Sequence, residues 1–243
     1  MFFTRFRNPG REALGLPGLP SLCALCRSWG GQRVCADCLR CWAPAVNRCV
    51  RCAIEVPAAT RLCGACLLEP PPYSRAVAGF DYAPPWSGLI ARFKFNSALD
   101  LMPSLTIQLL AAIRASDAPL PSLALPVPLS DERLRERGFN QAWEIARHLA
   151  AALGCACDPR LLLRIADTPH QLGLPPDARA ANVRGAFAVE PLRLAVLRGK
   201  PVALVDDVMT SGATAAEIAR TLLHAGASEV QLWVLARTPR PDR

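Results

Sequence analysis

The chain has 243 residues, 51% of them apolar, and a formal charge of +8. That length holds one ordinary domain plus a small module, and that apolar fraction excludes a disordered chain. No stretch reaches the roughly 18–20 uninterrupted apolar residues of a membrane span, so none is predicted.

The positive charge is almost all arginine; Lys94 and Lys200 are the only lysines. The arginine fork suits phosphate and carboxylate, so acidic ligands are expected, although codon bias yields the same composition. Residues 1–22 form a basic tail broken by Pro and Gly. It has no sustained apolar segment and no small-residue cleavage site, and Leu22 before Cys23 is a poor lipidation context. No signal peptide and a cytoplasmic location are predicted.

Nine of the eleven cysteines lie between Cys23 and Cys66. In a cytoplasmic chain such a cluster favours metal over disulfides. Four knuckles stand in order: Cys23-x-x-Cys26, Cys35-x-x-Cys38, Cys49-x-x-Cys52 and Cys63-x-x-Cys66. Two knuckles make one tetrahedral four-thiolate zinc site, so four suggest two sites. Sequential pairing joins the first to the second and the third to the fourth; crossed pairing, or a single occupied site, stays open at this level. Cys41 is unpaired in this scheme. With every ligand a thiolate, the zinc is expected to be structural rather than catalytic. Eight thiolates and two Zn²⁺ remove four positive charges and leave about +4. Attraction to nucleic acid is weaker than the formal charge suggests.

The tract Glu69-Pro70-Pro71-Pro72-Tyr73 reads as a stiff linker, placing a Cys-rich module at 23–69 and a second domain at 70–243. There strands and helices alternate. Arg75–Tyr82 reads as a strand, Trp86–Phe95 and Leu99–Ala115 as helices, with Leu101, Leu105, Leu109 and Ile113 on one face. Leu123–Val127 is a short buried strand; Phe139–Leu153 is a helix stopped by Gly154. Leu161–Ile165 and Val183–Val189 are strand candidates. Val202–Asp206 is a strand, Ala215–Ala225 a helix and Glu229–Ala236 a last strand. The pattern predicts an α/β domain with a mostly parallel sheet, whose ligands bind at the carboxyl ends of the strands.

Two acids, Asp206 and Asp207, end one of those strands, and Thr210-Ser211-Gly212-Ala213-Thr214 follows. Thr214 and Glu217 have capping-box spacing, with Thr214 as N-cap. A hydroxyl-rich loop at a helix N-terminus suits a phosphate monoester; the acids suit ribose hydroxyls or Mg²⁺. The stretch VDDVMTSGAT resembles the signature of type I phosphoribosyltransferases that binds 5-phosphoribosyl 1-diphosphate (PRPP). Upstream, Arg133, Arg135 and Arg137 precede Gly138-Phe139-Asn140-Gln141; alone this reads as a solvated charged turn, though arginines at a strand exit can hold a diphosphate. Residues 168–187 are polar and Pro-rich, with Arg179, Asn182 and Arg184 as candidates and His170 as a surface residue.

The CxxC knuckles, the strand with Tyr82, PVP…RGFNQ, RxxNVRGAF and VDDVMTSGAT together resemble the ComF family of phosphoribosyltransferase-like proteins linked to natural transformation. The resemblance implies a type I phosphoribosyltransferase-like sheet behind a double zinc ribbon. It makes Asp206 and Asp207 the catalytic acids, and with Thr210, Ser211, Gly212, Ala213 and Thr214 the PRPP site. It places Arg133, Arg137, Gly138 and Asn140 on the diphosphate side and Arg179 and Asn182 on a flexible loop. It implies Mg²⁺ with PRPP, and single-stranded DNA and a helicase-like competence motor as partners. One departure stands out: only Arg237–Arg243 follow the last strand, so a hood over a base is expected from Ala83–Leu110, where Trp86, Phe93 and Phe95 lie. Three functions fit: an enzyme with an unnamed acceptor, a non-catalytic nucleic-acid or protein adaptor, and a PRPP-sensing regulator.

Overall fold

The computed structural model describes residues 20–116, 118–166 and 183–240. Its centre is a five-stranded sheet whose hydrogen-bonded pairs are all parallel. Two two-stranded antiparallel ribbons flank it: β1 (Ser21–Leu22) with β2 (Trp29–Gly30), and β6 (Leu162–Arg164) with β7 (Phe187–Val189). The central sheet contains β3 (Arg75–Asp81), β4 (Leu123–Pro126), β5 (Ala156–Cys157), β8 (Pro201–Met209) and β9 (Glu229–Arg237), in the order β3-β9-β8-β4-β5.

These strands form because they are apolar on both faces, as a doubly covered parallel sheet requires. On β9, Val230, Leu232 and Val234 join one core, and Trp233 and Leu235 the other. The core that holds Trp233, here the first, is covered by α3 (Trp86–Phe95), α4 (Met102–Arg114) and α6 (Gln141–Leu153). The second is covered by α8 (Ala213–His224), the β6–β7 ribbon and Leu197 of the short α7 (Leu194–Leu197). The α4 stripe Leu101, Leu105, Leu109 and Ile113 is buried as its spacing requires; each such side chain contributes roughly 1.5–3 kcal/mol. Gly79 lets α4 settle on the sheet, since a Cβ there would stand 3.0 Å from the Leu109 nitrogen and 3.1 Å from the Leu235 carbonyl.

The helix α6 starts at Gln141 rather than Phe139, because the Asn140 side chain caps it, accepting from the Ala142 N–H at 2.9 Å. Gly154 ends it in the left-handed region, as expected. The charged stretch after β4 is not a loop. Asp131–Arg137 is a short helix, α5, capped by Ser130, with acids in its first turn and arginines in its last. Charge placed against the helix dipole holds it where an apolar stripe is absent. Strand β8 runs to Met209, because the β9 pairing continues through Val208↔Ala236 and Met209↔Arg237. The two acids therefore lie inside a paired strand and not at its end.

The Cys-rich segment, with helices α1 (Ala36–Trp42) and α2 (Gly64–Leu68), does not stand apart. Cys23, Val34, Cys38 and Leu39 share a core with Trp86, Leu101 and Leu105; Ala53 shares the other with Ala76 and Ala78. The Trp86 indole donates to the Trp42 carbonyl at 2.6 Å, and the Val34 N–H to Ser104 Oγ at 3.2 Å. No helix among the described residues is long and apolar enough to cross a membrane.

Candidate functional site

After β4 the chain crosses α6 to β5 at one edge; after β8 it crosses α8 to β9 on the other side of β4. Helices α6 and α8 lie on opposite faces, so the carboxyl ends of β4 and β8 border a crevice where the order reverses. Ligands of doubly wound sheets bind at such a crevice. Val127, just past β4, is tied across it by its N–H to the Val205 carbonyl at 2.9 Å.

Asp206 and Asp207 form its floor. The Asp207 N–H donates to Asp206 Oδ1 at 2.8 Å. Asp207 is 5% exposed; its Oδ1 pairs with Lys94 Nζ at 3.0 Å, and its Oδ2 is buried without a hydrogen bond. A buried carboxylate oxygen with no donor marks a place where a ligand donor belongs. Asp206 keeps some solvent contact. Burial and the neighbouring Asp207 charge push its carboxyl up to about 7, against the Asp207 N–H and the charges of Lys94 and Arg137. Lys94, from α3, is the cation that makes the acid pair tenable. Its sequence signal was rarity, as one of two lysines in an arginine-rich chain; its contact spans two distant segments.

The loop Thr210–Gly212 leads from β8 into α8. Thr214 is not the N-cap: the helix starts at Ala213, and Gly212 holds the cap position at φ +83° with no side chain to cap the first turn. Glu217 instead accepts from the Gly185 N–H at 2.8 Å and pairs with Arg220 at 3.2 Å. A cap residue without a side chain leaves first-turn backbone donors for an anion. Thr210 and Ser211 are exposed beside it, and Ser211 Oγ accepts from the Ala213 N–H at 3.3 Å. Gly212 is required twice over: a Cβ would stand 2.7 Å from Met209 Cε and 3.2 Å from the Tyr73 hydroxyl, at a φ that disfavours side chains. Gly212→Ala is expected to cost about 1–2 kcal/mol and to weaken anion binding at the loop. Chemical denaturation and phosphate titration check both.

On the β4 side, Arg137 caps the crevice, its guanidinium 5.1 Å over the Phe95 ring. Arg133 sits one turn earlier on α5, and Gly138 is its left-handed C-cap. Asn140 is committed to structure: besides capping α6, its Nδ2 donates to the Val127 carbonyl at 3.0 Å. Arg179, Asn182 and His170 lie outside the described residues; Arg184 is exposed. Of the three α3 aromatics, Trp86 stacks on Phe80 at 3.8 Å and Phe93 meets Phe139 edge-on at 6.0 Å, both buried. Phe95 alone is exposed, at 67%, and is the one able to meet a base.

The eight knuckle cysteines gather into Cys23, Cys26, Cys35 and Cys38, and Cys49, Cys52, Cys63 and Cys66, each set with its sulfurs within 4.8 Å of one another. This is the sequential pairing. The Cys23–Cys38, Cys26–Cys35 and Cys52–Cys63 sulfurs stand 3.8, 3.7 and 3.6 Å apart. A tetrahedron with metal–sulfur bonds of about 2.3 Å has edges of about 3.8 Å, so zinc fits and a disulfide does not. Burial opposes the Cys23 thiolate, yet the backbone N–H groups of Cys26, Cys35 and Leu25 pull its thiol down to about 6. Burial likewise opposes the Cys63 thiolate; the Cys66 N–H and neighbouring thiols pull it to about 7. Cys41 is exposed and outside both sets.

No family model matches the chain. It is 37% identical over 230 residues to the DNA utilization protein YhgH of Salmonella typhi, covering 90% of this chain and 98% of that one. The YhgH protein of Escherichia coli K12 is 35% identical over 229 residues, covering 93% and 99%. Competence protein F of Haemophilus influenzae is 34% identical over 197 residues, covering 78% and 84%. Among solved structures, a glutamine PRPP amidotransferase from B. subtilis gives a TM-score of 0.38 at 21% identity, over 60% of this chain and 30% of that one. A Thermus thermophilus protein, TT1426, gives 0.32 at 16% identity, over 57% and 84%. On the strength of the whole-length relatives, the chain belongs to the ComF family, alongside competence protein F and the YhgH proteins.

Proposed function

We propose that the crevice binds PRPP with Mg²⁺ and that the protein is a phosphoribosyltransferase-like member of the DNA utilization machinery its relatives are named for. The observation that carries the reading is the orphaned Asp207 Oδ2 on the strand that leads into a glycine-entered helix N-terminus. In this reading Thr210, Ser211 and the N–H groups of Gly212–Thr214 hold the 5-phosphate. Asp207 Oδ2 accepts a ribose hydroxyl, while Lys94 on Oδ1 holds that carboxylate in place. Asp206 accepts the second hydroxyl. Arg137, with Arg133 behind it, faces the diphosphate from α5, stabilising charge as it leaves. The same acids suit Mg²⁺, which supplies charge neutralisation at the diphosphate when bound. The two four-cysteine sets hold structural zinc. Calorimetry with PRPP and Mg²⁺ tests the reading; no heat of binding above buffer at millimolar PRPP overturns it. Mass spectrometry for a ribosylated acceptor separates an enzyme from a PRPP-dependent binder.

A second reading, a single-strand nucleic-acid adaptor, draws on a different surface. Arg27, Arg33 and Arg92 line a recess of about 190 Å³ beside the first cysteine set, and Trp29 and Trp42 are exposed nearby in sequence. Such a surface would bind with a steep salt slope. Binding that is equal at 50 and 200 mM salt, or unchanged by Arg27→Ala with Arg92→Ala, overturns it.

A further inference from the structure

We infer that Arg237 is a positioning residue for the phosphate loop, and that through it the second cysteine set (Cys49, Cys52, Cys63 and Cys66) holds the loop in its ligand-ready shape. The inference rests on the loop being the PRPP site proposed above.

Arg237 is the last residue of β9 and is 8% exposed. Among the described residues it makes no ion pair. Its guanidinium is spent on main-chain carbonyls from three places. Nε donates to the Cys52 carbonyl at 2.9 Å. Nη1 donates to the carbonyls of Met209 at 3.1 Å, Thr238 at 2.9 Å, and Thr210. One rigid fork thus clamps a knuckle of the second set to the first residue of the phosphate loop. Arginine suits this because its donors are planar, fixed in angle and never deprotonated.

A second strut runs parallel. Tyr73 is 3% exposed, and its hydroxyl lies 3.2 Å from the point where a Gly212 Cβ would stand. The Tyr73 carbonyl accepts from Arg51 Nη1 at 2.9 Å, and Arg51 adjoins Cys52. The knuckle is shaped by main chain and sulfur together: Ala53, in the left-handed region, donates its N–H to the Cys49 carbonyl at 2.8 Å, while the Cys63 N–H donates to Cys49 Sγ at 3.3 Å and ties the two halves of the set through sulfur. Without a metal gathering the sulfurs, the knuckle keeps only main-chain bonds such as Ala53 N–H to the Cys49 carbonyl, and Arg237 loses the firm end of its span.

The first cysteine set has no such link. Cys23 and Cys38 pack with Trp86 and Leu101 in the other core, and no hydrogen bond or ion pair among the described residues joins them to Thr210–Thr214. It is an internal control. Coupling between two sites is reciprocal. If the second centre holds the loop, a ligand in the loop holds the second centre.

The experiment uses the full, zinc-loaded chain. It is exposed to a thiol-alkylating reagent with a zinc-selective chelator, with and without saturating PRPP and Mg²⁺, and only the initial rates are read, so that local opening of each set is seen before the whole chain unfolds. Labelling of each cysteine peptide is followed by mass spectrometry. PRPP is expected to slow labelling of Cys49, Cys52, Cys63 and Cys66 by roughly fivefold or more, and to leave Cys23, Cys26, Cys35 and Cys38 unchanged. Arg237→Gln is expected to lose that protection and roughly tenfold in PRPP affinity; Arg237→Lys, which keeps the charge but not the fork, should resemble it. Calorimetry on the same sample separates the two failures. Absence of PRPP binding overturns the loop assignment and the inference with it. Binding with equal protection of both sets, or with protection surviving in Arg237→Gln, overturns the inference alone. If Arg237→Gln does not fold, the selective protection in the unaltered chain still decides.

Discussion

Asp206→Asn and Asp207→Asn are expected to weaken PRPP binding together while moving stability in opposite directions. In the proposed site each would remove a charged acceptor from a ribose hydroxyl, a loss of roughly 1.5–3 kcal/mol or about 10- to 100-fold in affinity, and the double variant should show no measurable binding. Stability separates them. Asp206 has its carboxyl raised from the ordinary range to about 7. A raised acid is stabilising below its unfolded value near 4, and that contribution is lost as pH rises to 7. Asn carries no such cost. Asp206→Asn should therefore gain on the natural protein between pH 4 and 7 and hold the gain above, on the order of 2–4 kcal/mol, the lower figure allowing for residual solvent contact. Asp207→Asn does the reverse. It strands Lys94, whose side chain is 16% exposed, and breaking such a pair costs about 3 kcal/mol. Melting curves at pH 4.5 and 8 distinguish the variants. Two shifts of the same sign at pH 8 would show that Lys94 and Asp207 are not the compensating pair.

Stripping zinc is expected to unfold the whole chain in one transition, not to release a loose ribbon from an intact α/β domain. A structural four-thiolate zinc in small peptides is worth roughly 10–16 kcal/mol, at or above the 5–15 kcal/mol of a typical domain. Here Cys23 and Cys38 line the same core as Trp86 and Leu101, while Cys49, Cys63 and Cys66 form a small cluster with Ile54 and Val56 that joins the other core through Cys52 and Ala53. Loss of the metal opens both cores. Far-ultraviolet circular dichroism and tryptophan emission, followed against chelator, should move together, because Trp86 and Trp233 are buried in the first core. Two separated transitions would show that the ribbons fold by themselves. For the same reason a chain lacking residues 1–70 is a poor reagent, since it exposes the Trp86 face.

Much of this was legible in the sequence because its signals are local. The apolar runs of β8 and β9 announce a strand buried on both faces. The α4 stripe repeats every four residues, and Gly154 sits where α6 must stop. The knuckle spacing is itself the metal geometry. What escaped depends on contacts between distant segments. Short α5 has no buried residue, so hydrophobic periodicity is silent about it. The cap of α8 moved from Thr214 to Gly212 because Glu217 is engaged by Gly185, 32 positions away. Lys94 and Arg237 carry no motif of their own; one becomes a site residue by reaching Asp207, the other by reaching Cys52, 185 positions earlier.

The place of β9 has a consequence for how the protein is made. It lies between β3 and β8, and among the described residues β3 pairs with no other strand of the central sheet. Ser74 and Val230 meet across 156 positions. A ribosome delivers both cysteine sets, β3 and α4 long before the strand that completes their sheet. Until β9 arrives, the early half of the nascent chain has eight grouped thiols and an exposed apolar strand edge, with metal as its main restraint. Zinc supply during synthesis, more than the stability of the finished fold, would then govern how much protein survives.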